Sequence, residues 1–316
     1  MGAGPTKGAN GDKMRDPDVT TSYSGIGLET VPMYLELPLE YRATVVCPFT
    51  LTQMPHSRLS QADCYVESLQ MAHPEGVFQA AFCLARLNWP ELRDERGQFL
   101  HPEEVHYFST LASERRQMSY LLGRYCAKQA LARMRPASTA NSICIRPGVF
   151  QHPVTSGAGT GAQVSISHGS HWGAAIAFPE EHPMAVDIEE IEDDKSAVIK
   201  TQMSKSEILM MLPLVDGETE ALALLWTVKE AMSKIIRCGM MTPFTVFEVA
   251  SASKLGETIR CTFSNFAQYK ATCFLHEHLA ISLVSPKNTS FVLKLPIRPH
   301  GDPKSSVFPL STAAAQ

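Results

Sequence analysis

Three short apolar segments in the middle of the chain are separated by turn residues. They cover residues 163–169, 172–178 and 184–189, and Gly, Ser and Pro occupy the gaps between them. Short β-rich runs bounded by such residues predict a three-stranded antiparallel meander. Because alternate residues of a strand face the same side, Asp187 and Glu189 are expected to project together, while their neighbours face the core.

A helix is predicted over residues 218–236, where apolar side chains recur at helical spacing. Its last turns carry Trp226, Lys229, Glu230 and Lys234. Glu230 and Lys234 are four residues apart, so they share one helix face. Together with the strand carboxylates, this helix supplies acidic side chains with lysines beside them. Such a set suits a hard divalent cation that holds a phosphate group.

Each of these features also has a plain structural interpretation. Glu230 and Lys234 can form a surface ion pair that stabilises the helix by about 0.2–0.5 kcal/mol. Asp187 and Glu189 can be the solvated face of an edge strand, although like charges at this spacing repel unless a cation lies between them. His168 lies at the end of the first predicted strand. A lone histidine more often has a structural role than a ligand-binding one.

Composition narrows the class of protein. A net charge of −4 over 316 residues argues against a general nucleic-acid binder. No apolar run approaches the roughly 20 residues of a membrane span, and the N-terminus lacks the apolar core of a secretory signal. The eight cysteines contain no C-x-x-C pair, which suits reduced thiols. We therefore predict a cytoplasmic monomer that binds neither nucleic acid nor membrane.

The rest of the chain also carries readable patterns. His101 and Pro102 are expected to open a helix, with acidic residues complementing its dipole. A long helix is predicted from Ser113 to Met134. Strands are predicted within 31–52 and at 77–86, 245–249, 258–263, 270–275 and 279–284, with Gly239 as the C-cap of the preceding helix.

These elements predict a division of the chain into lobes. The predicted parts are a disordered N-terminal tail at 1–28, an N-terminal lobe at 29–155, an inter-lobe loop at 156–162, a C-terminal lobe with the metal site at 163–285, and a C-terminal tail at 286–316. The Gly-rich loop at 156–162 resembles a dinucleotide-binding loop. Such a loop must lead into a helix, and this one precedes a strand, so a dinucleotide-binding function is excluded. A short acidic helix start followed by a long amphipathic helix occurs twice, at 102–131 and 206–235, and favours two related lobes.

The chain resembles the 4′-phosphopantetheinyl transferases in three motifs. These are Ser-Ile-Ser-His at 165–168, Val-Asp-Ile-Glu at 186–189 and Trp-Thr-Val-Lys-Glu-Ala-Met-Ser-Lys at 226–234. Each motif alone is common, whereas all three in this order are specific. The run at 123–131 also resembles the family's Gly-Arg-x-x-x-Lys helix. The most similar type is the larger, two-lobed one that serves siderophore, polyketide and peptide synthases.

The resemblance implies an α+β fold. Two similar α/β lobes would be related by a pseudo-two-fold, each a small, mostly antiparallel sheet packed on a long helix, with the ligand cleft between them. The implied reaction transfers the 4′-phosphopantetheine of coenzyme A to a serine of an apo acyl or peptidyl carrier protein domain. Its products are the holo carrier and 3′,5′-ADP, and it requires Mg²⁺.

The resemblance also implies roles for particular residues. Asp187, Glu189 and Glu230 would bind Mg²⁺, Glu230 would be the general base, and Lys234 would bind the pyrophosphate. The predicted coenzyme A ligands are Arg115, Arg124, Lys128, His152, Ser167, His168, Lys229 and Lys234. Two places depart from the family pattern. Gln151 and His152 replace a Gly-Lys turn, and Ala185 occupies the usual place of a glycine.

Two other functions remain open from the sequence. One is a non-catalytic relative that binds coenzyme A or a carrier, and the other is a divalent-metal phosphoesterase. The segment 203–213 has two interpretations as well. Ile208, Leu209 and Leu212 can close the core of the second lobe, or Met210 or Met211 can stay partly exposed and contact the carrier.

Overall fold

The computed structural model describes residues 64–295 of the chain. The predicted tail at 1–28 and the strands predicted within 31–52 lie outside this range. The described part contains the following strands: β1 Cys64–His73, β2 Gly76–Arg86, β3 Cys144–Pro147, β4 Pro153–Ser156, β5 Ala162–His168, β6 Trp172–Pro179, β7 Ala185–Glu190, β8 Val249–Leu255, β9 Thr258–Phe263, β10 Tyr269–His276 and β11 Leu279–Pro286. Its α-helices are α1 Trp89–Asp94, α2 Arg96–Phe99, α3 Pro102–Ser109, α4 Glu114–Met134, α5 Asp193–Lys200, α6 Lys205–Met211 and α7 Glu218–Ile236.

The strands form two larger antiparallel sheets and one hairpin. The first sheet has the order β1-β2-β6-β5, the second has the order β7-β11-β10-β9-β8, and β3 pairs with β4. We call β1–β6 with α1–α4 the first lobe, and β7–β11 with α5–α7 the second lobe. Both lobes combine an antiparallel sheet with one long helix, so the predicted α+β class is confirmed.

Side-chain alternation along the strands gives each sheet two buried faces. One face of the first sheet packs on α4 through residues such as Cys83, Ala175 and Val164. One face of the second sheet packs on α7 in the same way. The opposite faces of the two sheets share a third apolar cluster that includes Phe82 and Ile281. The core is therefore layered as helix, sheet, sheet and helix.

The predicted meander is wrong in its third strand. β5 and β6 pair as predicted, but β7 pairs with β11 in the second sheet. Membership of the sheets thus changes between Pro179 and Ala185, whereas the sequence placed the inter-lobe loop at 156–162. Residues following β11 also depart from the predicted tail, because Ser290 bridges to Ala72 of β1 and Leu293 is buried.

Two local predictions at the end of α7 need correction. The helix ends at Ile236 with a left-handed Arg237 as its C-cap, so Gly239 is not the cap. The strand predicted at 245–249 is a 3₁₀ turn over Phe244–Phe247, followed by β8. By contrast, α3 begins at the predicted His101–Pro102 and α4 follows Ser113 as its N-cap.

The two lobes share a frame of buried ion pairs. In the first lobe, Glu104 closes the capping box of α3, accepts a backbone N–H of β3, and lies 2.6 Å from the Lys128 ammonium of α4. In the second lobe, Glu207 closes the capping box of α6, accepts a backbone N–H of β8, and lies 2.8 Å from the Lys229 ammonium of α7. The repeat suggested by the sequence therefore extends to individual contacts. No helix within residues 64–295 is long and apolar enough to cross a membrane.

Candidate functional site

The candidate site lies where β5 and β7, the adjoining edge strands of the two sheets, come together. Asp187 and Glu189 project from β7 toward α7, on the face that this helix covers. Ser167 of β5 donates a hydrogen bond to Asp187 Oδ1 at 2.7 Å and accepts the backbone N–H of Ile188 at 3.3 Å. The Ser-His motif and the Asp-x-Glu motif are thus brought into contact.

Lys234 of α7 joins the same two strands. Its ammonium donates to the carbonyl oxygens of Ile166 and Val186, each at 3.1 Å, and to Asp187 Oδ1 at 2.7 Å. A lysine ammonium has three N–H donors, and these three partners occupy them all. The predicted proximity of Lys234 to the carboxylates is present, but its donors are engaged within the protein.

Asp187 is the most deeply buried carboxylate of the site, with 2% of its surface exposed. Burial raises the pKa of its carboxyl group, although Lys234 and Ser167 both favour the ionised form. Its second oxygen, Oδ2, is buried and has no hydrogen-bond partner within the described part of the chain. A buried carboxylate oxygen without a donor is costly, so this atom is suited to a cation that would approach it.

Glu230 and Glu189 lie near Asp187 and repel it and each other. Burial, followed by the negative charge of Asp187, raises the pKa of Glu230 to about 7, while Lys234 and the Trp226 indole oppose the shift. Glu189 pairs with Lys195 at 2.9 Å, and burial still raises its pKa above the usual value.

The ligand atoms of these carboxylates are not gathered into one tight cluster. Among residues 64–295, the set of three Asp, Glu, His or Cys residues with ligand atoms within 4.8 Å of one another is His101, Glu103 and Cys144. The chemistry of Asp187, Glu189 and Glu230 fits a hard cation. Their side chains would have to move closer together to share it.

The His101, Glu103 and Cys144 set has a structural explanation. His101 is the N-cap of α3 and accepts the backbone N–H of Glu103, and Glu103 binds Arg146 through both carboxylate oxygens. These contacts already engage two of the three ligand groups. We do not assign a metal to this set.

A cleft of about 410 Å³ lies in the first lobe and reaches His168, the residue that follows Ser167 on β5. Its walls include Tyr107, Tyr120, Arg124, Arg146 and His168. Aromatic faces and guanidinium groups suit a nucleotide that carries phosphate. All elements lining this cleft belong to the first lobe, whereas the sequence placed the ligand cleft between the lobes.

His168 is positioned by close packing of α4 against β5. A Cβ atom at Gly123 of α4 would lie 3.0 Å from Ile166 Cγ2 and 3.4 Å from His168 Cδ2, so glycine permits this approach. Loss of hydration lowers the pKa of His168, and the positive charge of Lys234 lowers it further. Arg124, in turn, has its Nε 3.2 Å from Glu104 and its guanidinium over the ring of Tyr120.

A second cavity, of about 190 Å³, lies between the lobes. His152 and Lys234 both line it. His152 closes a turn in which Phe150 and Gln151 are left-handed, with φ of 59° and 65°. Its Nδ1 lies 2.6 Å from the Val149 carbonyl oxygen. The departure from the family's Gly-Lys turn therefore places His152 beside this second cavity, and it does not line the cleft.

Of the eight predicted coenzyme A ligands, Arg124 and His168 line the cleft. Ser167 is engaged with Asp187, His152 and Lys234 line the second cavity, and the remaining three line neither cavity.

Lys128 is fully buried and donates to Glu104 and to the carbonyl groups of Ala140 and Ile143. Lys229 is 1% exposed and pairs with Glu207. Both ammonium groups are engaged by protein partners and line neither cavity, so nothing in this structure supports their predicted ligand role. Arg115 is exposed on the first turn of α4 and does not line either cavity.

The sequence missed several contributors to this site. Ser165 accepts the backbone N–H of Val186, Lys195 pairs with Glu189, and Glu190 accepts the N–H of His171 in the turn between β5 and β6. The alternation of β5 offered a signal for Ser165, because it places both serines on one side of the strand. The contact of Glu190 with His171 depends on how the lobes are arranged, and the contact of Lys195 with Glu189 depends on how α5 folds back after β7.

Comparison with known proteins supports the motif assignment. Residues 183–289 match the family described as the 4′-phosphopantetheinyl transferase superfamily. Among solved structures, the chain is similar to a holo-(acyl-carrier-protein) synthase from Bacillus anthracis str. Ames, in complex with CoA (3′,5′-ADP). That similarity has 14% identity, covers 36% of this chain and 96% of the other, and has a TM-score of 0.27, which is too low to establish a shared fold. No curated protein matches the sequence.

The matched segment contains both sides of the second lobe's acidic site. It includes Asp187 and Glu189 on β7 and Glu230 and Lys234 on α7. Residues 183–289 of this chain therefore match the 4′-phosphopantetheinyl transferase superfamily across the strand and the helix that carry this acidic site.

Proposed function

We propose that this protein transfers the 4′-phosphopantetheine group of coenzyme A to a serine of an apo carrier protein domain, as a member of the larger, two-lobed type. The observation that carries the proposal is Asp187 Oδ2, a buried carboxylate oxygen without a hydrogen-bond donor inside the family-matched segment. Such an atom is expected where a substrate-bound cation completes the site.

The metal would be held by Asp187, Glu189 and Glu230. All three offer hard oxygen ligands. Burial, followed by repulsion from a neighbouring carboxylate, raises the pKa of Glu189 and Glu230. A bound Mg²⁺ would neutralise charge on the pyrophosphate of coenzyme A.

Coenzyme A would occupy the cleft of the first lobe. His168 and Arg124 lie on the wall nearest to β5, so they are the groups best placed to bind the phosphates at the nucleotide end. Arg146 and the rings of Tyr107 and Tyr120 line the same cleft. Lys234 would act through its positive charge beside Asp187, since its three donors are already engaged.

The carrier serine is a weak nucleophile and must lose a proton during attack. Glu230 is the carboxylate proposed to accept that proton, because it lies near Asp187 without the lysine contacts that engage Asp187 and Glu189. The reaction breaks the bond between the β-phosphorus and the bridging oxygen of the pyrophosphate. It forms a new bond from that phosphorus to the serine oxygen, and 3′,5′-ADP leaves.

The decisive experiment is intact-protein mass spectrometry of a panel of apo carrier domains after incubation with the protein, coenzyme A and Mg²⁺. Addition of one phosphopantetheine to the carrier serine, abolished by a chelator and by Asp187→Ala, is the expected result. Glu218→Gln is the matched control, since Glu218 is an exposed carboxylate on the same helix that pairs with Lys200.

Other outcomes would identify the alternative functions. Binding of coenzyme A without modification of any carrier would indicate a non-catalytic relative. Hydrolysis of a phosphate ester with unmodified carriers would indicate a phosphoesterase. Either result would contradict the proposed transfer.

A further inference from the structure

β7 is an edge strand of the second sheet. The backbone groups along its unpaired edge are hydrogen-bonded by side chains, including those of β5 in the first sheet. Only β11 pairs with it among the described strands, so one row of its backbone groups faces β5. The hydroxyl of Ser165 accepts the N–H of Val186 at 3.2 Å, and the hydroxyl of Ser167 accepts the N–H of Ile188 at 3.3 Å. The two contacts advance by two residues on both strands, so β5 and β7 run in the same direction.

Side-chain hydrogen bonds here occupy the place of a backbone ladder. Paired strands lie about 4.8 Å apart, which leaves no room for a side chain between them. The serine hydroxyls instead span a wider gap, into which the Lys234 ammonium reaches. It binds the carbonyl groups of Ile166 and Val186, one from each strand. The serines supply acceptors for N–H groups, and the lysine supplies donors for carbonyl groups.

The contacts of the two serines fix the backbone on both sides of Asp187. The N–H before it is held by Ser165, and the N–H after it is held by Ser167. Ser167 also donates to the Asp187 carboxylate, whereas the hydrogen bond of Ser165 within the described residues goes to the backbone of Val186. Ser165 is 6% exposed, and without its hydroxyl the buried N–H of Val186 would lose its acceptor in the protein.

We propose that Ser165 is a positioning residue of this site: its hydroxyl holds the edge of β7 at Val186 and thereby fixes where the Asp187 carboxylate lies. The expected effect on turnover rests on the proposed transferase function. The effect on the backbone does not, and the two are measured separately.

The test compares Ser165→Ala with Ser165→Thr and with Ser282→Ala. Threonine keeps the hydroxyl, and the cavity that Ser165 lines leaves space for the additional methyl group. Ser282 is the matched control because it is a fully buried serine of β11 whose hydroxyl contacts Thr227 at 2.7 Å, so its loss does not open the edge of β7. Ser165→Cys provides a variant of similar volume if the alanine variant does not fold.

Amide hydrogen exchange at Val186 and Ile188 reports on the strand edge, and kcat and the KM for coenzyme A report on the site. In Ser165→Ala we expect exchange at Val186 to accelerate by about tenfold or more, with Ile188 less affected. We expect kcat to fall by roughly 10- to 100-fold while the KM for coenzyme A changes less than about threefold, because a small misplacement of a reacting group has this effect. Ser165→Thr should restore both readouts, and Ser282→Ala should lower the Tm without accelerating exchange at Val186.

Unchanged protection of Val186 in Ser165→Ala, or in Ser165→Cys if the alanine variant is unfolded, would overturn the proposal. Accelerated exchange with unchanged kcat would overturn its catalytic part. If the wild-type protein modified no carrier, the proposed function would fail, and the exchange measurement would still decide whether Ser165 holds β7.

Discussion

A lysine can bind a phosphate only when its ammonium has a free N–H donor and can be reached from solvent. Lys128 and Lys229 fail on both counts, since each is buried against a glutamate. Lys234 is partly exposed, but its three donors are engaged with β5 and β7. At the scale of single residues, two kinds of positive charge can therefore be distinguished. The lysines are engaged within the protein, whereas other cationic side chains line the cleft.

We therefore predict different effects for two substitutions: His168→Ala should weaken ligand binding, whereas Lys128→Met should lower the stability of the fold. His168→Ala should weaken binding of coenzyme A by about tenfold and leave dephospho-coenzyme A nearly unaffected, because we place the ring near the 3′-phosphate. Lys128→Met should lower the free energy of unfolding by about 3 kcal/mol, since it leaves Glu104 buried without its partner. Calorimetric titration with both ligands and thermal unfolding measure these effects. Equal losses of affinity for the two ligands in His168→Ala would show that the imidazole ring does not bind the 3′-phosphate.

Glu230→Gln should retain the fold and the affinity for coenzyme A while kcat falls by about 10²- to 10⁴-fold. Its amide cannot accept the proton of the carrier serine, and a general base contributes about this factor. Single-turnover transfer at saturating Mg²⁺ measures the loss, with Glu218→Gln as the control. A variant that kept about a tenth of the wild-type rate would show that Glu230 is not the base.

Sequence and structure agree on which residue types form the site but differ in what those residues contact. The motifs placed Asp187 close to Lys234, as the structure has it, whereas the contact of Asp187 with Ser167 was not predicted. Burial of Lys128 and Lys229 could not be predicted, because it requires the capping glutamates of other helices, Glu104 and Glu207. These lie more than 20 residues away in the sequence, and nothing in the motifs points to them.

At the scale of elements, α6 shows which side chains of the segment 203–213 face solvent. Ile208 and Met211 are buried in the second lobe, while Leu209 is 70% exposed. Met210 is partly buried at the edge of the same core. The expectation that Leu209 closes the core is therefore wrong, and so is an exposed Met211. Met210 remains a candidate for carrier contact.

Leu209→Glu and Met210→Glu should raise the KM for the carrier by about tenfold and leave the KM for coenzyme A unchanged. An introduced carboxylate would remove apolar contact and repel an acidic carrier, and the repulsion should weaken with salt. Leu255→Glu is the matched control, because Leu255 is an exposed leucine on β8. Steady-state kinetics with varied carrier concentration measure the change. An unaltered carrier KM in both α6 variants would place docking elsewhere.

The two long helices and the strands at the end of the second sheet were predicted best. α4, α7, β9 and the strands β10 and β11 lie within a few residues of their predicted limits. β1 was missed, since its polar residues give only a weak alternation, with several positions half-buried against β2. The meander failed at β7 because the pairing of an apolar strand depends on which sheet it reaches, and local sequence does not specify that.

At the scale of the whole molecule, the segment after β11 connects the two lobes. Ser290 bridges to Ala72 of β1, and Thr289 contacts His182 at 2.7 Å. Lys270 of β10 donates to the carbonyl oxygen of Thr289. This segment, which the sequence assigned to a C-terminal tail, therefore contacts both the first and the second sheet through the same few residues.

Lys270 should make stability depend on pH. Burial, together with the charge of Arg260, lowers the pKa of Lys270 to about 8 in the folded protein, from an ordinary value of 10.5. Between these values the unfolded chain binds more protons than the folded protein, so the Lys270 contribution to the free energy of unfolding rises with pH. Below pH 8 its unfavourable effect is fully present, and above pH 10.5 it is relieved.

Urea unfolding of the wild type and of Lys270→Met across this range measures the effect. The stability of the wild type relative to the variant should increase by about 1–2 kcal/mol from pH 8 to pH 10.5. Lys254→Met on the exposed edge strand β8 should show no such change. A constant difference between wild type and Lys270→Met would show that Lys270 is protonated alike in both states.

Both lobes contain the buried glutamate–lysine pair, but the residues next to it on the long helix differ between the lobes. This difference bears on how many catalytic centres one chain can contain. Aligning Lys128 with Lys229 places Gln129 opposite Glu230, and Arg133 opposite Lys234. The first lobe thus carries an amide where the second carries its proposed base. If the halves arose by duplication of one ancestral unit, the scaffold was retained twice and the acidic residues were retained in one copy, which would leave the other copy's cleft to the nucleotide recognition that we propose.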